Sequence, residues 1–330
     1  MRKLTVVAAV ALAVGAAQAE PVLDPGALRG VGQFHRVRMV VSPDAAVMAW
    51  LSAAPFLQGQ VFVATSTDDG GWSSPVQVSG SYPDWVLFDG GAGEFALARA
   101  SNGTYWLAWS ADTGRRVTIT GGPGADTDLS YVVHSPDLWV AASADGRTWS
   151  APQPVALAPT PDHDPGIIEM PDGRIGIIWV SGRDGNEDLS LSFQGNVGEW
   201  DEAVQITSGP ARDSQYELAH VGPKYVPDSR GRLTLAWVSD RSREPQVWTA
   251  VSADGRNWSQ PVQVSRSAAD KGFLTIEDLT VNPPAPGPNE PHPGYNLYWS
   301  LPAGENEQRW VSHSPDFVAW SEPELAPPGK

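Results

Sequence analysis

The chain has 330 residues and no cysteine, and its 38 acidic against 22 basic side chains give a formal net charge of −16. The lack of cysteine excludes disulfides, thiolate metal sites and cysteine nucleophiles. The acidic balance argues against nucleic acid and anionic membranes as partners, because both would repel the chain. With 33 glycines, 30 prolines and 15 tryptophans, and little helical periodicity, the composition predicts an all-β protein.

The first predicted element is a secretory signal peptide over residues 1–19. Arg2 and Lys3 precede an apolar run from Leu4 to Ala17, and small residues lead up to Ala19. This pattern is typical of a cleaved export signal and not of a membrane span. We therefore expect export to the periplasm or the extracellular space, without membrane insertion, as a mature chain of 311 residues (330 minus 19).

Five repeats follow, and each has two tryptophans at set positions. The upstream tryptophans are Trp50, Trp109, Trp179, Trp237 and Trp299, and the downstream ones are Trp72, Trp149, Trp200, Trp258 and Trp320. The two lie 21 or 22 residues apart in four repeats and 40 apart in the second, which therefore carries an insertion. Each repeat reads as four short antiparallel strands, and such units repeated radially form a β-propeller.

The repeats cover approximately residues 30–80, 81–158, 159–208, 209–266 and 267–326 of one domain that spans residues 20–330. They predict a propeller of five blades. Six blades are the alternative if the N-terminal segment and the insertion contribute further strands. A closed ring is favoured over a linear stack because it protects most sheet edges.

A short turn precedes each downstream tryptophan, as in SADGRTW (143–149) and SADGRNW (252–258). The aspartate of such a turn accepts backbone N–H groups, and the glycine supplies a positive φ. Burial of the following tryptophan removes about 150 to 250 Å² from water, which is worth about 4 to 6 kcal/mol before entropy. Packing therefore dominates, and these turns are predicted to be scaffold.

The Ser-x-Asp-x-Gly-x-x-Trp turns resemble the Asp-box, or BNR, repeats of the sialidase superfamily. The resemblance implies a β-propeller, but the family's activities include sialidases, other glycoside hydrolases, lyases and non-catalytic propellers. Sialidases hold the substrate carboxylate with three arginines, and Arg36 or Arg38 matches the first of these. The later strands offer no clear partners, and the loop LSAAPFLQGQ lacks the expected acid. The resemblance thus does not extend to a sialidase catalytic set.

Polar residues cluster at the start of the innermost strands when the repeats are aligned on their upstream tryptophans. His35, His163 and His220 lie 15, 16 and 17 residues before these tryptophans. Because the starts of the inner strands converge on one mouth of a propeller channel, we expect a ring of polar groups there. The predicted ligand-binding residues are His35, Arg36, Glu94, His163, His220 and Asp278, and the predicted catalytic carboxylates are Asp164, Glu277 and Asp162.

The ring has several possible functions. Paired carboxylates such as Asp164 and Glu277 would act as general acid and base on a glycosidic bond, so the protein would recognise, and as an enzyme hydrolyse, a glycan other than sialic acid. Alternatively, the three histidines would hold a divalent metal, or a partner protein would bind at the same mouth without catalysis. A solvated polar rim without a ligand is the remaining interpretation.

Overall fold

The computed structural model describes residues 33–53, 59–67, 70–84, 86–119, 129–170, 172–183, 185–195, 199–218, 232–266, 274–278, 294–301 and 308–327. The expected signal peptide and His220 lie outside these residues. Within them the chain is all-β, and the described part contains no helix that could cross a membrane.

In the described part of the chain, twenty strands form five antiparallel sheets, in which strands consecutive in sequence are neighbours. The first sheet contains β1 (Gln33–Val41), β2 (Ala46–Ala53), β3 (Gln60–Thr65) and β4 (Val76–Gln77). The second contains β5 (Val86–Arg99), β6 (Tyr105–Ile119), β7 (Leu129–Ser143) and β8 (Gln153–Ala156). The third contains β9 (Asp162–Glu169), β10 (Ile175–Ser181), β11 (Asp188–Phe193) and β12 (Val204–Gln205). The fourth contains β13 (Asp213–Leu218), β14 (Leu233–Ser239), β15 (Gln246–Ser252) and β16 (Val262–Gln263). The fifth contains β17 (Leu274–Asp278), β18 (Tyr295–Leu301), β19 (Gln308–Ser314) and β20 (Glu324–Leu325).

The second strand of each sheet carries much of the core. Every residue of β10 and of β14 is buried. These strands read as continuous apolar runs, IGIIWVS and LTLAWVS, because both of their faces are covered. A sheet that is buried on both faces must lie between two other layers, so the sequence of β10 and β14 already requires stacked sheets.

Each sheet packs face to face on the next one through an apolar cluster. Trp109 of the second sheet packs against the first sheet, and Trp179 of the third packs against the second. Trp237 and Trp299 continue the pattern, each against the sheet that precedes it in sequence. The upstream tryptophans therefore form the contacts between sheets.

Trp50 occupies the equivalent position in the first sheet. It is fully buried together with Met48, on the face of β2 that points away from the second sheet. A covering element is required there, and the pattern of the other four tryptophans assigns that place to the fifth sheet. The sheets thus form a β-propeller, as the repeats predict. The described residues contain five four-stranded sheets, and the number of blades in the whole chain stays a prediction.

The turns between third and fourth strands have the geometry expected from their sequence. In the second sheet, Asp145 accepts the N–H groups of Arg147 and Thr148 at 2.8 and 2.7 Å. Trp149 Nε1 donates to the Gly146 carbonyl oxygen at 3.2 Å. Gly146 has φ +70°, and a Cβ there would lie 2.5 Å from Val47 of the first sheet. The turn is therefore scaffold, and it contacts the preceding sheet closely enough to require glycine.

Candidate functional site

One end of the sheets gathers three kinds of chain segment. In an antiparallel meander, the first strand begins at the end where the second strand finishes and where the chain leaves for the next sheet. Here the start of β9, the connection from β10 to β11 and the connection from β12 to β13 therefore lie together. We call this the connector end; the Asp-containing turns lie at the opposite end.

The first strands carry a β-bulge close to the connector end. In the first sheet the bulge falls between His35 and Val37, and in the third it falls just after His163. Arg36 and Asp164, the residues within these bulges, have φ values of +49° and +50°. Positive φ is uncommon for residues other than glycine and is held only where the surrounding structure fixes it. Bulges redirect side chains, and these two place a charged residue at the connector end.

The second sheet contributes Glu94 at the same level. Its backbone N–H donates to Ser110 Oγ at 3.1 Å, and Ser110 directly follows Trp109. The Glu94 carboxylate forms an ion pair with Arg36 of the first sheet, at 2.8 Å. Both side chains remain partly exposed, so the pair is accessible to a ligand.

The third sheet contributes His163, which lies between two carboxylates. Its Nδ1 is 3.2 Å from Asp164 Oδ2, and its Nε2 is 3.8 Å from Glu187 Oε1. The hydrogen bond with Asp164 raises the pKa of His163 above 6.5 against the effect of burial, and the charges of Glu187 and Glu94 act in the same direction. Glu187 in turn pairs with Arg212 at 2.9 Å.

These side chains form one charged cluster that draws on three sheets and on the connection to the fourth. We call it the connector-end cluster; it consists of Arg36, Glu94, His163, Asp164, Glu187 and Arg212. Two arginines and a histidine with a raised pKa face three carboxylates, so the charges nearly balance. An open depression of about 350 Å³ adjoins the cluster and is lined by Gly182, Gly185, Asn186, Glu187 and Arg212.

Asp162 has an internal role instead of the expected catalytic one. Its side chain is fully buried. Trp179 Nε1 donates to Asp162 Oδ1 at 2.9 Å, and Arg183 Nη2 donates to Oδ2 at 3.0 Å. A carboxylate that is enclosed and occupied in this way cannot reach a substrate.

The strand register changes the expected alignment of the fourth sheet. His163 is opposite Val180, and His35 is opposite Leu51, each the residue after an upstream tryptophan. In the fourth sheet the equivalent residue is Ser214, opposite Val238. His220 comes after the end of β13 and lies outside the described residues. The predicted role of His220 therefore stays a prediction.

The strand register also moves Glu277 and Asp278 of the fifth sheet away from the places predicted for them. Leu274 is opposite Trp299, whereas Glu277 is opposite Asn296 and Asp278 opposite Tyr295. Glu277 therefore lies three strand residues, about 10 Å, from the tryptophan level and toward the opposite end. The side chains of both acids and of His35 lie outside the described residues. The register removes the reason for pairing Glu277 with Asp164.

Among the described residues no group of three or more His, Asp or Glu side chains has a geometry that would hold a metal ion. The expected metal set includes His35 and His220, whose side chains are not described. The metal interpretation is therefore left with one described residue, His163, whose ring nitrogens face Asp164 and Glu187.

Two residues of the cluster, Glu187 and Arg212, escape prediction from the sequence. Glu187 lies in SGRDGNEDLS, which reads as a strand connection, and Arg212 lies in GPARDS. Only the topology could have indicated these two residues, because the connection after a second strand and the connection between sheets lie at the same end of a meander. Neither stretch has a motif that would distinguish it further.

No family model matches this chain, and the comparison with curated proteins gave no match. Solved structures similar to it include an exo-β-1,3-galactanase from Clostridium thermocellum, with 14% identity and a TM-score of 0.47 over 87% of this chain and 60% of that one. A thermostable family-43 glycoside hydrolase has 10% identity and a TM-score of 0.47, over 91% and 96% of the two chains. A family 117 glycoside hydrolase from Zobellia galactanivorans has 12% identity and a TM-score of 0.43, over 77% and 82%.

These similarities carry no conclusion about activity at such identities and TM-scores. The resemblance to the sialidase superfamily rests on the turn motif alone. The assignment as a β-propeller rests on the packing of the sheets described above.

Proposed function

We propose that this protein binds a glycan of low net charge at the connector end of the propeller. The observation that carries the proposal is the connector-end cluster, which contains two partly exposed ion pairs, one of which, Glu187–Arg212, lines an open depression. Sugar hydroxyls both donate and accept hydrogen bonds. Arginine and protonated histidine are donors and carboxylates are acceptors, so the cluster offers both kinds of partner.

The charge balance of the cluster supports a ligand without strong charge. An anionic sugar such as a sialic acid needs an excess of cationic groups, as the three arginines of sialidases supply. Arg36 and Arg212 are instead each paired with a glutamate, at 2.8 and 2.9 Å. A carboxylate ligand would have to compete with Glu94 and Glu187 for these guanidinium groups.

Binding is the function that we propose, and hydrolysis by the expected pair of carboxylates is not part of the proposal. Hydrolysis needs two carboxyl groups about 5 to 9.5 Å apart across the bond that is cleaved. Of the expected acids, Asp162 is enclosed and Glu277 is displaced along its strand. Export through the segment 1–19 belongs to the same proposal, because a glycan ligand is expected outside the cytoplasm.

A binding screen with the mature chain tests this proposal. A panel of neutral and acidic oligosaccharides would be measured by titration calorimetry, with reducing-sugar release followed in parallel. We expect binding of neutral oligosaccharides without turnover. Glu187→Gln removes a charged acceptor and should weaken binding by about 1.5 to 3 kcal/mol.

The matched control is Glu322→Gln. Glu322 also pairs with an arginine, Arg266, but both side chains are 71% exposed and belong to the outer part of the propeller. This variant should bind like the unmodified protein. The proposal would be contradicted if the protein bound only acidic oligosaccharides or none at all. Equal losses of affinity in Glu187→Gln and Glu322→Gln would show that the ligand does not bind at the connector-end cluster.

A further inference from the structure

A buried aspartate begins the first strand of the third sheet and is held by two donors. Asp162 accepts from Trp179 Nε1 at 2.9 Å and from Arg183 Nη2 at 3.0 Å. The Arg183 guanidinium also lies over the Trp179 ring, 5.7 Å from its centroid. The three side chains form a closed unit that links the start of β9 to the residues following β10.

The fourth sheet repeats this unit. Asp213, also fully buried, begins β13. It accepts from Trp237 Nε1 at 3.1 Å and from Arg241 Nη2 at 2.7 Å. In both sheets the arginine follows the tryptophan by four residues, and the aspartate is opposite the second residue after the tryptophan. We call each unit an Asp–Trp–Arg brace.

The first brace holds the connection that carries Glu187. Arg183 and Glu187 both belong to the segment between β10 and β11, of which residue 184 lies outside the described part. Gly182 N–H donates to the Pro161 carbonyl oxygen at 2.9 Å. At the other end of the segment, Asp213 N–H donates to the Glu187 carbonyl oxygen at 2.7 Å.

The second brace holds the backbone of Arg212. Asp213, the aspartate of that brace, directly follows Arg212. Arg212 N–H donates to Asp240 Oδ1 at 2.8 Å, and Asp240 N–H donates back to the Arg212 carbonyl oxygen at 3.2 Å. Asp240 directly precedes Arg241 of the brace. Glu187 is thus linked along the chain to the first brace and by a hydrogen bond to the second, and Arg212 is attached to the second.

Stability alone is a weak reason for two buried carboxylates. Removing a carboxylate and a guanidinium from water has a cost that commonly equals or exceeds their attraction, so apolar residues of similar volume would serve a core as well. Such groups fix geometry, because hydrogen bonds are directional where apolar contacts are not.

We propose that the two Asp–Trp–Arg braces are positioning devices, which set Glu187 and Arg212 against each other and against His163 at the connector end. Asp162, Trp179, Arg183, Asp213, Trp237 and Arg241 are then positioning residues and not ligand contacts. The consequence for ligand affinity rests on the proposed function, whereas the placement of Glu187 beside His163 does not.

The placement is measured by the titration of the His163 ring in NMR spectra, assigned with His163→Gln. Arg183→Gln opens the first brace. If Glu187 then moves away from His163, the pKa of His163 should fall toward 6.5, because one of the carboxylates that raise it is lost. Loss of a positive charge alone acts in the opposite direction and would raise this pKa, so the sign of the shift distinguishes geometry from charge.

Arg174→Gln is the matched control. Arg174 belongs to the same sheet and pairs with Asp172 at the opposite end, at 2.8 Å. It removes the same charge without touching a brace, so the pKa of His163 should not fall. Arg183→Lys keeps the positive charge but not the planar group over Trp179. This variant replaces Arg183→Gln if the latter does not fold, and it should also lower the pKa of His163.

An unchanged or raised pKa of His163 in both Arg183 variants would overturn the proposal. If the proposed function holds, Arg183→Gln should also weaken oligosaccharide binding by about tenfold, as expected when one charge-assisted hydrogen bond is misplaced. A protein that binds no oligosaccharide but shows the fall in pKa refutes the glycan proposal and leaves the braces established.

Discussion

Asp188 is a buried carboxyl group that has no cationic partner among the described residues, and its substitution offers a stringent test of the structure. It begins β11 and is only 2% exposed. Gln205 Nε2 and Asn186 Nδ2 donate to Oδ2 at 3.1 and 3.2 Å, and Thr207 Oγ1 donates to Oδ1 at 3.3 Å. Burial raises the pKa of Asp188 to about 6, and the charge of Asp213 adds to this effect, against the lowering by the three donors.

A carboxyl group with a raised pKa makes the folded state bind its proton more tightly than the unfolded state does. Stability then falls as pH rises through the window between 3.8 and about 6. The shift of about two pH units, at 1.36 kcal/mol per unit, corresponds to at most about 3 kcal/mol. Asp188→Asn keeps the shape and cannot ionise, so it should be more stable than the unmodified protein by about 1 to 3 kcal/mol at pH 7.5.

Urea unfolding at pH 4, 6 and 7.5 measures this difference. The advantage of Asp188→Asn should shrink toward zero at pH 4, where the Asp188 carboxyl group is protonated. Asp44→Asn is the control, because the Asp44 side chain is 81% exposed, and it should change stability by less than about 0.5 kcal/mol. An Asp188→Asn variant that is no more stable at pH 7.5, or that keeps its full advantage at pH 4, would refute the reasoning.

Three further substitutions test the scaffold by urea unfolding. Gly146→Ala combines a φ of +70° with a Cβ 2.5 Å from Val47, so it should lower the free energy of unfolding by about 2 to 4 kcal/mol. Its control is Gly173→Ala, which has φ +84° and nothing within 4 Å of the added Cβ, and which should lower it by about 1 kcal/mol. Equal losses would argue against the close contact. The donors of Asn257 and Arg256 hold the pKa of Asp254 well below its usual range, so its stabilisation is present above pH 3.8 and lost as pH falls. Asp254→Asn should therefore lose about 1 kcal/mol at pH 7, allowing for solvent screening, and progressively less as the pH falls below 3.8; a loss independent of pH would contradict this. Trp179→Phe keeps most of the apolar contact but removes the donor to buried Asp162, and a loss smaller than about 1 kcal/mol would show that the hydrogen bond contributes little.

The architecture is predictable because its signal is local. The upstream tryptophan lies on the second strand, and the downstream one lies in the turn between the third and fourth strands. Short turns therefore fix the spacing between the two, which is 21 residues from Trp237 to Trp258. Antiparallel neighbours with short turns leave little freedom in register. The buried runs around Trp179 and Trp237 then require sheets on both sides, which a propeller provides.

The site is predictable only where the connection from the first to the second strand is short. Glu169 and Ile175 are joined by a tight turn, so counting back from Trp179 places His163 and Asp164 correctly at the start of β9. The longer connections that follow Leu218 and Asp278 add residues which no count from a tryptophan can anticipate. The register moves Glu277 away from the tryptophan level, whereas His220 lies outside the described residues.

Glu187 and Arg212 meet through a contact between two connections, and each brace joins residues of one sheet that are distant in sequence. The spacing of Trp179 from Arg183 and of Trp237 from Arg241 is visible in WVSGR and WVSDR. Asp162 precedes Trp179 by 17 residues, whereas Asp213 precedes Trp237 by 24, because the intervening connections differ in length. Only the fold shows that the two units are equivalent.

The central claim is that the connector-end cluster binds the ligand, and hydrogen–deuterium exchange with and without a bound neutral oligosaccharide tests it most directly. We expect slower exchange at the backbone amides of residues 163–164, 182–188 and 212–213, with no change in the turns at 143–149 and 252–258. Protection confined to those turns, or to neither region when binding is saturated, would contradict the claim.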